Sequence, residues 1–296
     1  MSDPKQANTA MTRKRRRIGD TILYGLIYLS AIFSVFLLIG IILYIFVKGA
    51  GQVNAEFLTS VTSALKGTVG IAGNIVNTLY IIVLTMIIAT PIGVGAAIYL
   101  NEYAKPGRLV NVIEFATETL SGIPSIIFGL FGMMFFGQTL HLGYSILTGS
   151  FTLVLMVLPL ITRNTQEALK TVPDYYRVGA FGLGAGKWYM IRTILIPSAM
   201  PGIITGVILA IGRIVGESAA LLFTAGSDYK LPKTGMGFVD KLFESGGTLA
   251  IQLYLSMSKG QYDVAFGIAV VLLVIVLLIN FATKLLARKF DVNRKE

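Results

Sequence analysis

From Thr21 to Val47 the chain carries no charged side chain. A run of that length has few ways to fold. In a bilayer core of about 30 Å, roughly 20 apolar residues in a helix satisfy every backbone group internally. Five further segments have the same character: Asn74–Leu100, Val110–Phe136, Ser145–Thr162, Ala199–Ala225 and Ala265–Leu286. Their apolar residues do not alternate with polar ones, which favours helices over a closed barrel. Apolar residues make up 54% of the 296, charged residues 14%, and the mean hydropathy is +0.74. A soluble chain carries about 25% charged residues. The first run also exceeds a secretory apolar region of about 7–15 residues, so it is expected to remain as an uncleaved span. The expectation is an all-α integral membrane protein with about six transmembrane helices.

Lysine and arginine set the orientation. With both termini on one side, that side collects seventeen basic residues and the other six. The larger set includes Lys5, Arg13, Lys14, Arg15, Arg16 and Arg17 before the first span, and Lys284, Arg288, Lys289, Arg294 and Lys295 at the far end. The smaller set is Lys48, Lys66, Lys230, Lys233, Lys241 and Lys259. Basic residues stay inside, so both termini are expected in the cytoplasm. The net charge of +10 therefore reads as orientation and lipid-headgroup contact at a lipid bilayer, not as a nucleic-acid surface. On this reading residues 1–20 are a basic tail, 21–289 the membrane domain, and 290–296 a second tail.

Several kinds of chemistry find no support in the residues. There is no cysteine, and the single histidine, His141, lies between two apolar segments. One histidine cannot build a metal site of the usual kinds, so it reads as a loop residue and no metal or cofactor is expected. Gly182-Leu183-Gly184-Ala185-Gly186-Lys187 superficially looks like a phosphate loop. Trp188 stands where a magnesium-binding Ser or Thr belongs, and Phe181 where the first glycine belongs. Gly93-Val94-Gly95 lacks a third glycine, since Ile98 occupies its place. The chain is expected to have no nucleotide site and no catalytic activity of its own.

The connection at about 170–197 carries the most information. Pro173 can stop the preceding span, Asp174 can cap a short helix, and Gly184 can end it. Such a helix, lying across the membrane face, suits the groove of a partner. Its text resembles the coupling loop of ABC-importer permeases: Glu-Ala-Ala, three residues, Gly, nine residues, Ile, one residue, Leu-Pro. Val178, Gly179 and Ala180 stand for Glu-Ala-Ala, Gly184 for the glycine, and Ile194, Ile196 and Pro197 for the ending. Val178 departs from the glutamate. The resemblance implies a type I permease fold whose cytoplasmic coupling helix grips an ATPase subunit.

Charges inside spans suggest a pathway. Arg213 and Glu217 are four apart, and on one helix they would share a face. Each alone costs at least about 2.5–3.5 kcal/mol at the bilayer centre. Two readings stand: a buried ion pair that fixes packing, or a lining of an anion path. Arg163, near the inner end of the fourth span, is either a second step on that path or a side chain snorkelling to the interface. Arginine offers a planar donor fork that matches tetrahedral oxyanions. Ser121-Gly122-Ile123-Pro124-Ser125 adds hydroxyls and a proline break, which usually line a cavity. Glu114 and Glu118 sit at the helix N-terminal end, where the macrodipole favours acids, and receive no transport role. Gly202, Gly206 and Ala210, and separately Gly212, Gly216 and Ala220, form small-residue stripes for close helix approach.

The strings AIGRIVGESAALLFTAG, SGIPSIIFGLF and AIYLNEYA narrow the resemblance to the PstA-type permease of phosphate-specific ABC importers, over about Asn74 to the C-terminus. It implies a multi-pass subunit of the bacterial inner membrane that moves inorganic phosphate inward. Its implied partners are a homologous second permease, two ATPase subunits and an extracytoplasmic phosphate-binding protein. Arg163, Arg213 and Glu217 match positions implicated in transport. A sulfate- or molybdate-type permease, or a stand-alone anion transporter or channel, remain the alternatives.

Overall fold

The computed structural model describes residues 18–63, 68–232 and 237–290. Most of the two basic tails, with Lys66 and Lys233, lies outside the described residues. The chain divides into two compact units, residues 1–47 and 48–296. The first holds most of α1 (Ile18–Gly49). Its side chains from Ile22 to Val47 are exposed almost throughout. A helix that is apolar on every face is stable only in an apolar medium.

The second unit begins with a 3-10 turn, Ala50–Gln52, and α2 (Ala55–Thr59), which Asn54 caps by accepting the Phe57 N–H at 2.7 Å. A small antiparallel hairpin follows, β1 (Val61–Ser63) with β2 (Thr68–Ile71), an element the hydropathy pattern does not announce. Next come α3 (Ala72–Ile98) with a π turn at Tyr99–Tyr103, α4 (Arg108–Gly122), and α5 (Ser125–Gly132) with a π segment at Met133–Thr139. Then follow α6 (Ile146–Lys170), α7 (Asp174–Gly182) and α8 (Lys187–Met190), whose π continuation Ile191–Leu195 leads into α9 (Ile196–Gly216). The unit closes with α10 (Ala219–Thr224), α11 (Phe238–Leu242), α12 (Leu249–Ser258) and α13 (Tyr262–Phe290).

Five helical stretches are long and apolar enough to cross a membrane, and a bent pair makes a sixth if it counts as one span. Two expected boundaries change. Val110–Phe136 is not one straight helix: α4 and α5 meet at 104°. Pro124, which lacks an N–H to continue α4, sits at the corner with extended backbone. The fifth span starts at Lys187, before the expected Ala199, and ends at Gly216. The connection from Gly226 to Tyr262 contributes α12 to the bundle, with Leu249 and Ile251 fully buried. His141 is exposed in the turn after α5 with φ 55°, a left-handed conformation that His tolerates better than most residues.

α6 is the axis of the second unit, with 67% of its most apolar window buried. In lipid, helices gain little from apolar burial as such, so close packing must hold them together. Glycines provide it. A Cβ on Gly93 of α3 would lie 2.8 Å from Ile161 Cγ2. On Gly202 and Gly206 of α9 it would lie 2.5 Å and 2.7 Å from the Cβ atoms of Ala168 and Asn164. The first predicted stripe is therefore a true contact. The second does not act as a stripe: nothing lies within 4 Å of a Cβ on Gly212 or Gly216, and Ala220, beyond the end of α9, packs against Gly129 of α5. Gly93→Ala is expected to lower the thermal stability of the purified protein by the equivalent of about 1–3 kcal/mol of overpacking. Gly95→Ala, two residues on and in open space, should be neutral or slightly stabilising through helix propensity. Equal melting temperatures for the two variants would contradict this packing.

Candidate functional site

α6 carries Arg163 about two turns before its end, and the guanidinium is not free. Its Nε lies 3.5 Å from Glu167, one turn on, and Nη1 lies 4.0 Å from Glu118 of α4. Glu167 also faces Lys170 at 3.7 Å. Arg163 borders a cavity of about 280 Å³ together with Glu114, Glu118, Thr117, Ser121, Gln166 and Leu100. That volume holds several waters, at about 30 Å³ each. The structure thus brings Arg163 and Ser121 together, as expected. It also brings in Glu114 and Glu118, which the sequence reading had set aside. Contrary to the expectation, Glu114 and Glu118 lie six and ten residues into α4, past the first turn where the macrodipole favours acids, and Glu118 faces Arg163 of α6.

The cavity is no ready anion trap. Two carboxylates already balance Arg163, and the Thr117 and Ser121 hydroxyls donate to the carbonyls of Ile113 and Thr117. An entering anion would have to displace Glu118 or Glu167, which suits brief occupancy better than tight binding. Ser125 does not join this cavity; it is the first residue of α5. The break beside it borders a second cavity, of about 360 Å³, lined by Leu120, Ile123, Ile127, Phe128, Phe131 and Leu155, all apolar.

Arg213 and Glu217 do not form the expected pair. α9 ends at Gly216, and Glu217 has extended backbone, φ −79° and ψ 124°, so the two side chains do not share a helix face. Glu217 instead reaches forward and accepts the Ala220 N–H at 3.0 Å, satisfying an open donor at the start of α10. Gly216, with no side chain, sits at the turn out of α9. Among the described residues Arg213 makes no hydrogen bond or ion pair, although it is half-buried in the last turn of a membrane-length helix. A guanidinium left without a partner at such a site is costly to keep.

The 170–197 connection folds much as its punctuation suggests, with two changes. Pro173 occupies the cap position, and Asp174 is the first residue of α7, where it pairs with Arg177 at 3.0 Å instead of capping. The loop is also shorter than 170–197: a helix begins at Lys187 and runs through Pro197. Gly184 has φ +77° and closes α7 with the Ala185 N–H on the Ala180 carbonyl at 3.0 Å and the Gly184 N–H on the Phe181 carbonyl at 2.9 Å. That double closure needs a left-handed residue, which glycine supplies without strain.

Ala180 is buried among Leu169, Val172, Met190 and Ile191, and so anchors α7. Val178 points outward, and Gly179 lies in open space. Tyr175, Phe181, Leu183, Trp188 and Tyr189 are exposed around them, Leu183 at 91%. The rings of Tyr175 and Tyr176 lie 4.5 Å apart. The hydrogen bond to Tyr176 holds the Tyr175 hydroxyl above its usual pKa. Tyr175, Phe181 and Leu183 stand on the loop, and Trp188 and Tyr189 at the start of the fifth span; large exposed side chains grouped in this way are characteristic of interaction surfaces.

Sequence reading missed what fastens this loop. Arg177, 17% exposed, donates to Glu102 at 2.9 and 3.3 Å and to the carbonyls of Val172 and Leu169 at 2.9 and 3.2 Å. Glu102, in the π turn after α3, is 6% exposed. Lys187 donates to the Glu102 carbonyl and lies 4.8 Å from the centre of the Tyr103 ring. The available signal was a lone glutamate closing an apolar run in AIYLNEYA.

Comparison with known proteins gives concordant results. A family model described as "Binding-protein-dependent transport system inner membrane component" matches residues 89–294. The chain is 35% identical over 283 residues to "Probable ABC transporter permease protein YqgI" of Bacillus subtilis, covering 91% of this chain and 95% of that one. It is 33% identical over 279 residues to "Phosphate transport system permease protein PstA" of Xylella fastidiosa, covering 92% and 94%. A solved bacterial alginate ABC transporter contains a chain that aligns with a TM-score of 0.67 at 14% identity, over 92% of this chain and 96% of that one. A chain of the MetNI methionine ABC transporter aligns at 0.56 and 20% identity, over 75% and 94%. At these identities the likeness to the solved structures is one of fold, the fold of ABC-importer permeases.

Proposed function

The chain belongs to the family of binding-protein-dependent transport system inner membrane components, and we propose that within it this protein is the permease subunit through which inorganic phosphate enters the cytoplasm. It is a multi-pass membrane protein and an ABC transporter permease. The observation that carries the finer reading is Arg213. A guanidinium with no partner among the described residues, in the last turn of a span, is costly unless a ligand intermittently pairs with it, and its planar fork matches a tetrahedral oxyanion. Glu217, at the break just beyond, commits Oε1 to Ala220. Its other oxygen accepts a proton donor, which phosphate carries near neutral pH and sulfate does not. Several relatives named as phosphate permeases, at 29–35% identity, agree with this choice of anion.

In this reading phosphate passes Arg213 and Ser125 and then the Arg163 cavity with Ser121, where the carboxylates keep occupancy brief. The exposed face of α7, with Asp174 and the Val178-Gly179-Ala180 turn, docks on an ATPase subunit. A homologous second permease, a second ATPase and an extracytoplasmic phosphate-binding protein complete the importer. The decisive experiment is uptake of radiolabelled phosphate by cells that depend on this chain. Excess unlabelled phosphate should compete fully and sulfate or molybdate should not. Equal competition by sulfate would favour the broader oxyanion reading.

Inward transport also requires the termini and the docking loop to be cytoplasmic, as the basic residues imply. In a chain without cysteine of its own, an impermeant thiol reagent added to sealed cells should label Lys259→Cys and leave Leu183→Cys untouched. The opposite pattern would invert the topology.

A further inference from the structure

α3 is fastened at both ends to elements that the spans themselves do not require. At its C-terminal end the Glu102 carboxylate holds Arg177 of α7 and the Glu102 carbonyl holds Lys187 of α8. At its N-terminal end Asn74 and Asn77 donate to the Gly247 carbonyl at 2.9 and 3.3 Å, and Asn77 also to the Asp228 carbonyl at 3.0 Å. Thr78 accepts the Leu249 N–H at 3.0 Å. All three side chains are buried. The backbone there is packed just as closely: a Cβ on Gly73 would overlap the Tyr229 carbonyl. Between these ends run roughly 28 residues, about 40 Å of helix at 1.5 Å each. Along that length α3 packs against α6 through Gly93, Ala89 and Ile81.

We propose that α3 is the rod by which movement of the docking loop reaches the backbone at Asp228, Gly247 and Leu249, at the opposite end of the helix, with Glu102–Arg177 as its latch. The proposal rests on α7 being the ATPase contact. Arg177 is suited to the task because one guanidinium joins three elements: α3 through Glu102, the end of α6 through the Leu169 and Val172 carbonyls, and α7 itself through Asp174. Its bonds to Glu102 are charge-assisted and shielded from solvent, so α7 cannot shift without pulling on α3 or breaking the pair. The Glu102 side chain, only 6% exposed, makes no part of the docking surface. Glu102 and Arg177 are thus positioning residues, acting through α3.

The test uses the whole importer in proteoliposomes and compares ATP hydrolysis with phosphate uptake. Glu102→Gln removes the charge but keeps size and a carbonyl acceptor. It should assemble with the ATPase and hydrolyse ATP within about twofold of the unmodified complex, while uptake falls about tenfold, the loss expected when one strong coupling contact is removed. A purely structural pair would lower hydrolysis, uptake and assembled complex together, and that result would overturn the proposal, as would unchanged uptake. If Glu102→Gln fails to assemble, Glu102→Cys with Arg177→Cys takes its place, in a chain with no other cysteine. Bridging the two thiols with a short bis-methanethiosulfonate should restore uptake per ATP, and reduction should abolish it again. No recovery on bridging would overturn the latch. If no ATPase co-purifies with the unmodified chain, the ATP-driven reading itself fails and the latch with it.

Discussion

Arg213→Gln is expected to reduce phosphate uptake about thirtyfold or more while the complex still assembles. Loss of one partner from a desolvated charge contact costs about 2–5 kcal/mol, and each 1.4 kcal/mol is a factor of ten. Assembly should survive because, among the described residues, Arg213 has no protein partner to abandon. Arg213→Lys keeps the charge but loses the fork, so it should recover only part of the rate. Glu217→Gln separates two roles of the neighbouring acid. The amide oxygen still caps Ala220, so α10 should stay intact, while the second oxygen that accepts the proton of phosphate is lost. Replacing both residues with apolar ones of similar size gives the sharpest contrast. Normal uptake in that double variant, measured per assembled complex with radiolabelled phosphate, would leave the pair without a role in the path.

A second large effect is expected at Gly184. Its φ of +77° costs a β-branched residue about 1–2 kcal/mol or more, while a Cβ there meets no neighbouring atom. The fault is therefore one of backbone, not of space. Gly184→Val should undo the closure of α7 on the Ala180 and Phe181 carbonyls and displace Leu183 and its apolar neighbours. Co-purification of the ATPase should fall about tenfold, the factor set by roughly 1.4 kcal/mol. Gly184→Asn should be far milder, since asparagine tolerates the left-handed region. Equal retention of the ATPase by the valine variant would contradict a docking role for α7.

The parts of this molecule legible in the sequence are those set by local chemistry. Uncharged runs located the spans, and Pro173 and Gly184 bracketed α7 because their backbone demands do not depend on distant partners. The small-residue stripe at Gly202 and Gly206 was readable because α9 is regular there. Reading failed where regularity stops. The four-residue spacing of Arg213 and Glu217 implies a shared face only if the helix continues, and it ends at Gly216. The Val110–Phe136 run hid a 104° corner, and with it the approach of Glu118 to Arg163. Glu102 and Arg177 lie 75 residues apart, so no local pattern could announce their bond.

The central claim is that this chain moves phosphate inward under the power of partner ATPases. Its most direct test is the purified complex reconstituted into liposomes that hold ATP and magnesium, facing labelled phosphate and the binding protein outside. Phosphate should accumulate against its gradient only when ATP and binding protein are both present, and labelled sulfate should stay outside. Phosphate flux that proceeds without ATP, or sulfate accumulation equal to that of phosphate, would contradict the account.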